Sequence, residues 1–173
     1  MKHILPIILL AFLIAGCSST PKLEDFTNNP NGMWDEGRRL SEKGEKLIMK
    51  GEETIEDSRI DANKGEALIQ SGSDAITRAR QEYTVEVSKI GGSANPKEVQ
   101  FEAARLNAVG EKWEKAISNV EKGNDLLNKS RKKQAEGQEQ IAEGRKLVER
   151  GSNFIRNSQR MRLDQPLLTL PSE

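Results

Sequence analysis

With one histidine, one cysteine, one tyrosine and two tryptophans in 173 residues, the chain has few of the side chains that most often carry chemistry. The histidine is His3, so no histidine stands in the body of the chain to activate a nucleophile or ligate a metal. Aromatic residues make up 4% and hydrophobic residues 35%, too little apolar surface for a large globular core. Neither sign of charge prevails. The 27 basic and 27 acidic residues sum to zero, which leaves no basic excess to hold nucleic acid or anionic lipid. The run from Ile4 to Ala15 is about a dozen residues, too short to span a bilayer comfortably. Carboxylates such as Glu52, Glu53, Glu56 and Asp57 stand without a histidine or a glycine-rich loop, so neither an enzyme nor a small-molecule substrate is expected.

That short apolar run is nevertheless informative. Lys2 and His3 precede it and Ile14-Ala15-Gly16-Cys17 closes it, which is the charged, apolar, small-residue layout of a secretory signal. The order large aliphatic, small, small, cysteine resembles the lipobox of bacterial lipoproteins. The resemblance covers the first twenty residues and implies cleavage before Cys17, a thioether-linked diacylglycerol on Cys17 and, usually, N-acylation. In that family an aspartate after the cysteine retains the product in the inner membrane; Ser18 implies sorting to the outer membrane. A lone thiol is odd in an oxidising compartment, whereas a lipidated one needs no partner. At about 0.8 kcal/mol per buried methylene, two or three acyl chains make the attachment effectively permanent. Beyond this covalent lipid no cofactor and no metal is expected. Removal of residues 1–16 takes Lys2 away, leaving 26 basic against 27 acidic side chains.

Small residues then recur every seven positions: Gly37, Gly44, Gly51, Ser58, Gly65, Gly72 and Ala79, and again Ala116, Gly123, Ser130, Gly137, Gly144, Gly151 and Ser158. Four positions after most of them runs a largely apolar stripe that includes Ile48, Ile55, Ile69 and Ile76, then Trp113, Val120, Leu127, Ile141 and Val148. A partial third stripe, three positions after, includes Leu40, Leu47, Leu68, Leu126, Leu147 and Phe154. A period of seven held over many turns predicts supercoiled helices with these positions on one face. Gly91-Gly92 can stop one helix, and Asn95, Pro96 and Glu98 can start another as N-cap, first-turn proline and capping-box acid. Folding about that loop matches residues whose numbers sum to about 188, which sets glycine against glycine and Ser58 against Ser130. The expected fold is all-α, one long antiparallel two-helix coiled-coil hairpin with a small-residue seam.

The predicted layout is a signal at 1–16, a lipidated N-terminus and polar tether at 17–32, and a hairpin at 33–162. Within the hairpin, helices over about 33–90 and 96–162 flank a turn at 91–95, and an extended tail follows at 163–173. The helices are expected to reach roughly 85 and 100 Å. Nine of the seam positions are glycine, each costing up to about 1 kcal/mol against alanine, so close helix approach must offset several kcal/mol. The mixed charge runs at 38–46 and 129–133 read as solvated helix faces. Asp61, Lys133, Gln134 and Gln140 interrupt the apolar stripes mid-rod, a pattern suited to fixing register or marking a bend or contact site. Trp34, together with Leu167, Leu168 and Leu170 of the proline-bounded tail, are the candidate partner contacts.

These features together suggest a non-enzymatic outer-membrane lipoprotein, a periplasmic rod that spaces, tethers or recruits envelope components. Its expected partners are the membrane, through the lipid, and an envelope protein or further copies of itself. The alternatives are an accessory subunit of an envelope-spanning secretion, efflux or assembly complex and, third, a phage-type lysis lipoprotein. The chain also resembles murein lipoprotein in joining a lipobox to helical heptads, but it ends Pro171-Ser172-Glu173 without the lysine that family attaches to peptidoglycan. Any wall contact is therefore expected to be noncovalent.

Overall fold

A computed structural model of the chain describes residues 21–93 and 95–168. They form a short 3-10 turn, Leu23–Phe26, and two helices, α1 over Pro30–Val87 and α2 over Pro96–Arg162, packed together as an antiparallel hairpin. Both helices start the same way. The Asn29 side chain accepts from the Gly32 amide at 3.0 Å and Asn95 accepts from the Lys97 and Glu98 amides at 3.1 Å each; a proline follows each asparagine. These caps satisfy amides that have no partner inside the helix, and proline at the first helical position lacks the N–H that would need one. Glu98 accepts from the Asn95 side-chain amide at 2.9 Å.

The seam is a line of direct backbone contact. A β-carbon placed on Gly51 would stand 2.6 Å from the Gly137 carbonyl oxygen, and one on Gly144 would stand 2.6 Å from that of Gly44. Gly37 meets Gly151 at 2.7 Å in the same sense, Gly65 meets Gly123 at 2.8 Å, and Gly72 meets the Ala116 carbonyl at 2.9 Å. Between the glycines, the hydroxyls of Ser58 and Ser130 face each other at 3.4 Å. Glycine is required because the two main chains lie too close for any side chain at these positions. The residues four places on close over the gap: Ile48 covers Gly144, Val148 covers Gly44, Ile141 covers Gly51 and Ile55 covers Gly137, each with a side-chain carbon 2.7 to 2.8 Å from where the missing β-carbon would be. Dispersion attraction between the closely apposed main chains and these covering side chains offsets the poor helix propensity of glycine.

The structure differs from the sequence-based expectation in four places. The first helix begins at Pro30, not near 33, because Asn29 caps it. It ends at Val87, not near 90: the Lys89 and Ile90 amides bond three residues back, and Gly91 turns the chain with φ +97. The polar tether expected at 17–32 is, in its described part, a packed segment. Leu23 and Phe26, three apart, share one side of the 3-10 turn and pack on the buried trio Met33, Leu40 and Phe154. Phe26 meets Phe154 edge to face at 5.6 Å, and Arg150 Nη2 donates to the Pro21 carbonyl at 2.7 Å. The tail expected to be extended from 163 opens instead with a helix-ending turn. Asp164 adopts φ 54, and the amides of Asp164 and Gln165 bond back to the carbonyls of Met161 and Arg160.

Candidate functional site

Each seam residue is flanked three and four places on, and these offsets fall on opposite sides of the rod. The side four places on is the covering stripe of Ile, Val and Leu. The side three places on, called here the polar flank, holds the cross-helix chemistry. Its base is the apolar cluster of Met33, Leu40, Leu147, Phe154 and Met161, covered by Leu23 and Phe26. Further along, Thr54 Oγ1 lies 3.5 Å from Gln140 Oε1, Lys133 Nζ bonds Asp61 Oδ2 at 2.7 Å, and Lys112 Nζ bonds Glu82 Oε2 at 2.7 Å. Of the mid-rod polar residues singled out from the sequence, Asp61, Lys133 and Gln140 thus join one flank, and Gln134 lies exposed on the other.

The electrostatics follow from these pairs. The hydrogen bond from Lys133 holds the Asp61 carboxyl below its usual range, with further help from the charges of Lys133, Lys129 and Lys64. The same bond raises Lys133 above the ordinary lysine value. Glu86 is likewise held low, first by the Lys89 bond and then by the Arg105 charge. Partial desolvation opposes all three shifts and is outweighed.

At the distal end the polar flank opens into a shallow groove of about 520 Å3 lined by Arg78, Glu82, Glu86, Arg105 and Lys112 among others. Its acids are ion-paired: Glu82 with Lys112, and Glu86 with Lys89 and, at 3.3 Å, with Arg105. Glu86, held low in this way, stays ionised at neutral pH and is a poor proton carrier there. Val85 on the groove wall and, beyond the groove, Val87, Ile90, Val99 and Phe101 are exposed, Phe101 to 64%. Among the described residues no group of three or more His, Cys, Asp or Glu could hold a metal ion, and no helix is long and apolar enough to cross a membrane.

Cys17, Ser18 and Leu170 lie outside the described residues. Trp34 is half-buried with the Arg38 guanidinium 5.2 Å above its ring. Trp113 sits on the covering stripe against Tyr83, ring centroids 6.4 Å apart. Leu167 is exposed, whereas Leu168 is held by its main chain: its amide donates to Asn157 Oδ1 at 2.7 Å and its carbonyl accepts from Asn157 Nδ2 at 2.9 Å. Asn157 is fully buried, and Arg160 Nε also grips the tail at the Pro166 carbonyl. Sequence reasoning missed Asn157. Its only signal is an asparagine beside an apolar stripe, indistinguishable from a solvated one. Comparison with protein-family models, curated proteins and solved structures finds no match to this chain.

Proposed function

We propose that the protein is a lipid-anchored, non-enzymatic rod of the bacterial envelope, an outer-membrane lipoprotein that serves as a scaffold or adaptor in the periplasm. The observation that carries this reading is the junction of Ile14-Ala15-Gly16-Cys17 to a rigid hairpin whose two described ends lie together at its base. A lipid on Cys17 would fasten that end, and the backbone-to-backbone seam gives the rod the stiffness a spacer needs. The acids of the shallow groove serve as ion-pair partners, Glu82 to Lys112 and Glu86 to Arg105, in keeping with a structural role. Ser18 favours delivery to the outer membrane. The test is Cys17→Ser, expected to release the protein from the membrane or block its processing. A variant that still floats with outer membranes in a density gradient after a high-salt wash overturns the anchor.

The exposed apolar residues at the far tip favour a second reading, in which the rod is an accessory subunit whose tip docks on an envelope-spanning complex. Photoreactive residues at Val87 and Phe101, crosslinked in cells, distinguish the two readings. One dominant stoichiometric protein partner selects the subunit, and its absence selects the scaffold.

A further inference from the structure

The overall charge balance conceals a partition between flanks. Lys115, Lys122 and Lys129 of α2 recur every seven residues on the polar flank, and Lys64 and Arg78 of α1 stand across from them on the same side. Lys64 and Lys129 lie close enough to Asp61 for their charges to lower its pKa, and Arg78 lines the distal groove, which places both ends of the strip on this flank. All five are exposed, and none forms an ion pair within 4.0 Å among the described residues. Of the acids on this flank, Asp61 and Glu82 are already neutralised by Lys133 and Lys112, and Asp57, whose charge acts on Lys133, stands at the basal limit of the strip about level with Lys129. Asp74 and Asp125 stand one position round on the outer faces, where Asp74 accepts from Gln70 on the side away from the strip. At the same level the opposite flank carries Glu66, Glu114 and Glu121.

A second, independent observation concerns where the chain enters. The segment Leu23–Phe26 packs on Met33, Leu40 and Phe154, and Pro21 is held by Arg150, all on the polar flank. Three residues separate Pro21 from Cys17, so a lipid there is tethered within roughly 14 Å of Pro21. Along α2, Lys129 and Lys115 stand about 32 and 53 Å beyond Arg150 on that same flank. A lipid joined to a basic patch on one side of a rigid body is a two-point membrane attachment, with the second contact favoured by the first.

We infer that the strip formed by Lys64, Arg78, Lys115, Lys122 and Lys129 is a docking surface for anionic phospholipid, which lays the rod along the bilayer that holds its lipid. This rests on the lipid anchor proposed above. The test uses the full lipidated chain with a donor dye on Ser88→Cys, reconstituted into vesicles whose headgroups carry an acceptor. An upright rod holds position 88 about 75 Å from the level of Pro21, whereas a lying rod brings it beside the headgroups. Strong energy transfer is expected in phosphatidylglycerol-containing vesicles, and weak transfer in phosphatidylcholine or at high salt. Lys115→Gln, Lys122→Gln and Lys129→Gln together should shift the lying equilibrium by about a hundredfold toward upright, with unchanged helicity.

Equal transfer in neutral and anionic vesicles, or transfer unmoved by the triple substitution, overturns the proposal. So does salt-sensitive self-association of the detergent-solubilised chain with no vesicle effect, which would assign the strip to the acidic flank of a second copy. Failure of the full chain to float with neutral vesicles would be a failure of the anchor alone. In that case Cys17→Ser protein must still bind anionic vesicles more tightly than neutral ones, and equal binding to both refutes the strip on its own.

Discussion

The base and the tip of the rod close the same two helices by opposite means. At the base the flank is filled from outside: Leu23 and Phe26 cover Met33, Leu40 and Phe154, Ser158 Oγ donates to the Pro30 carbonyl at 2.6 Å, and Asn157 pins the returning tail. At the tip no further segment is added among the described residues. The glycines give way to Ala79 and Val109, then to Glu86, and Tyr83, Val85, Val87, Ile90, Val99 and Phe101 stay in water. Two helices alone cannot bury both of their flanks, so a hairpin is stable where another segment completes it and open where none does. Stability therefore concentrates at the base, which leaves the tip free to present its apolar side chains.

The largest expected effect strikes that contrast directly. Phe154→Ala removes a fully buried ring and its edge contact with Phe26, and is expected to destabilise by about 3–5 kcal/mol. Phe101→Ala, at a residue 64% exposed, is expected to stay within about 0.5 kcal/mol. Chemical denaturation of the unlipidated Cys17→Ser chain measures both. Comparable losses for the two phenylalanines would mean that base and tip are equally packed.

A smaller effect sharpens the contrast by its sign. Gly51→Ala and Gly144→Ala gain up to about 1 kcal/mol of helix propensity, but each new β-carbon would lie 2.6 Å from an opposing backbone oxygen. Main chain moves less readily than a flexible side-chain end, and overpacking costs about 1–3 kcal/mol, so both variants are expected to melt below the parent. Gly110, in the distal part of α2, has nothing within 4 Å of its would-be β-carbon. Gly110→Ala is expected to gain close to the full propensity difference of about 1 kcal/mol and melt above the parent. A rise in melting temperature for all three would show glycines that merely loosen a helix.

How much of this was legible depended on whether the signal was periodic. The hairpin and its small-residue seam follow from a spacing of seven carried through both helices, and Asn95-Pro96 marks a helix start by local chemistry alone. The cover at the base was not legible in that way. Leu23 and Phe26 are two apolar residues among Pro21, Asn28 and Asn29, and a polar, turn-rich stretch looks the same whether it hangs free or plugs a groove. Asn157 was hidden likewise, since what distinguishes it is the Leu168 backbone, eleven residues on. Charge balance misled in a further way. Zero net charge excluded a basic excess for the whole chain, but only the pairing of Asp61 with Lys133 and Glu82 with Lys112 shows which described cations on one flank remain outside an ion pair.

The smallest expected effect belongs to the mid-rod pair, and pH isolates it. Asp61 is held below its usual range chiefly by the Lys133 hydrogen bond, so its contribution is fully present above the unfolded carboxyl value of about 3.9 and is lost as pH falls through the lower folded value. Lys133 is raised chiefly by the same bond, so its contribution is fully present below about 10.4 and is lost as pH rises through the higher folded value. Between those limits the melting temperature should not respond to this pair. Acid alone would not identify it, because Glu56 and Glu86 are also held low, each first by a hydrogen bond from a neighbouring cation, and they lose their partners in the same window. The difference between the parent and Asp61→Asn removes that background. Their melting temperatures should differ by a small constant amount at neutral pH, converge as Asp61 protonates in acid, and converge again as Lys133 deprotonates in base. A gap that persists unchanged from acid to neutral pH would mean that Asp61 acts through packing and not through its charge. The polar layer at Ser58, Ser130, Asp61 and Lys133 would then be a spacer between two glycine runs, and the ion pair would contribute nothing to alignment of the helices.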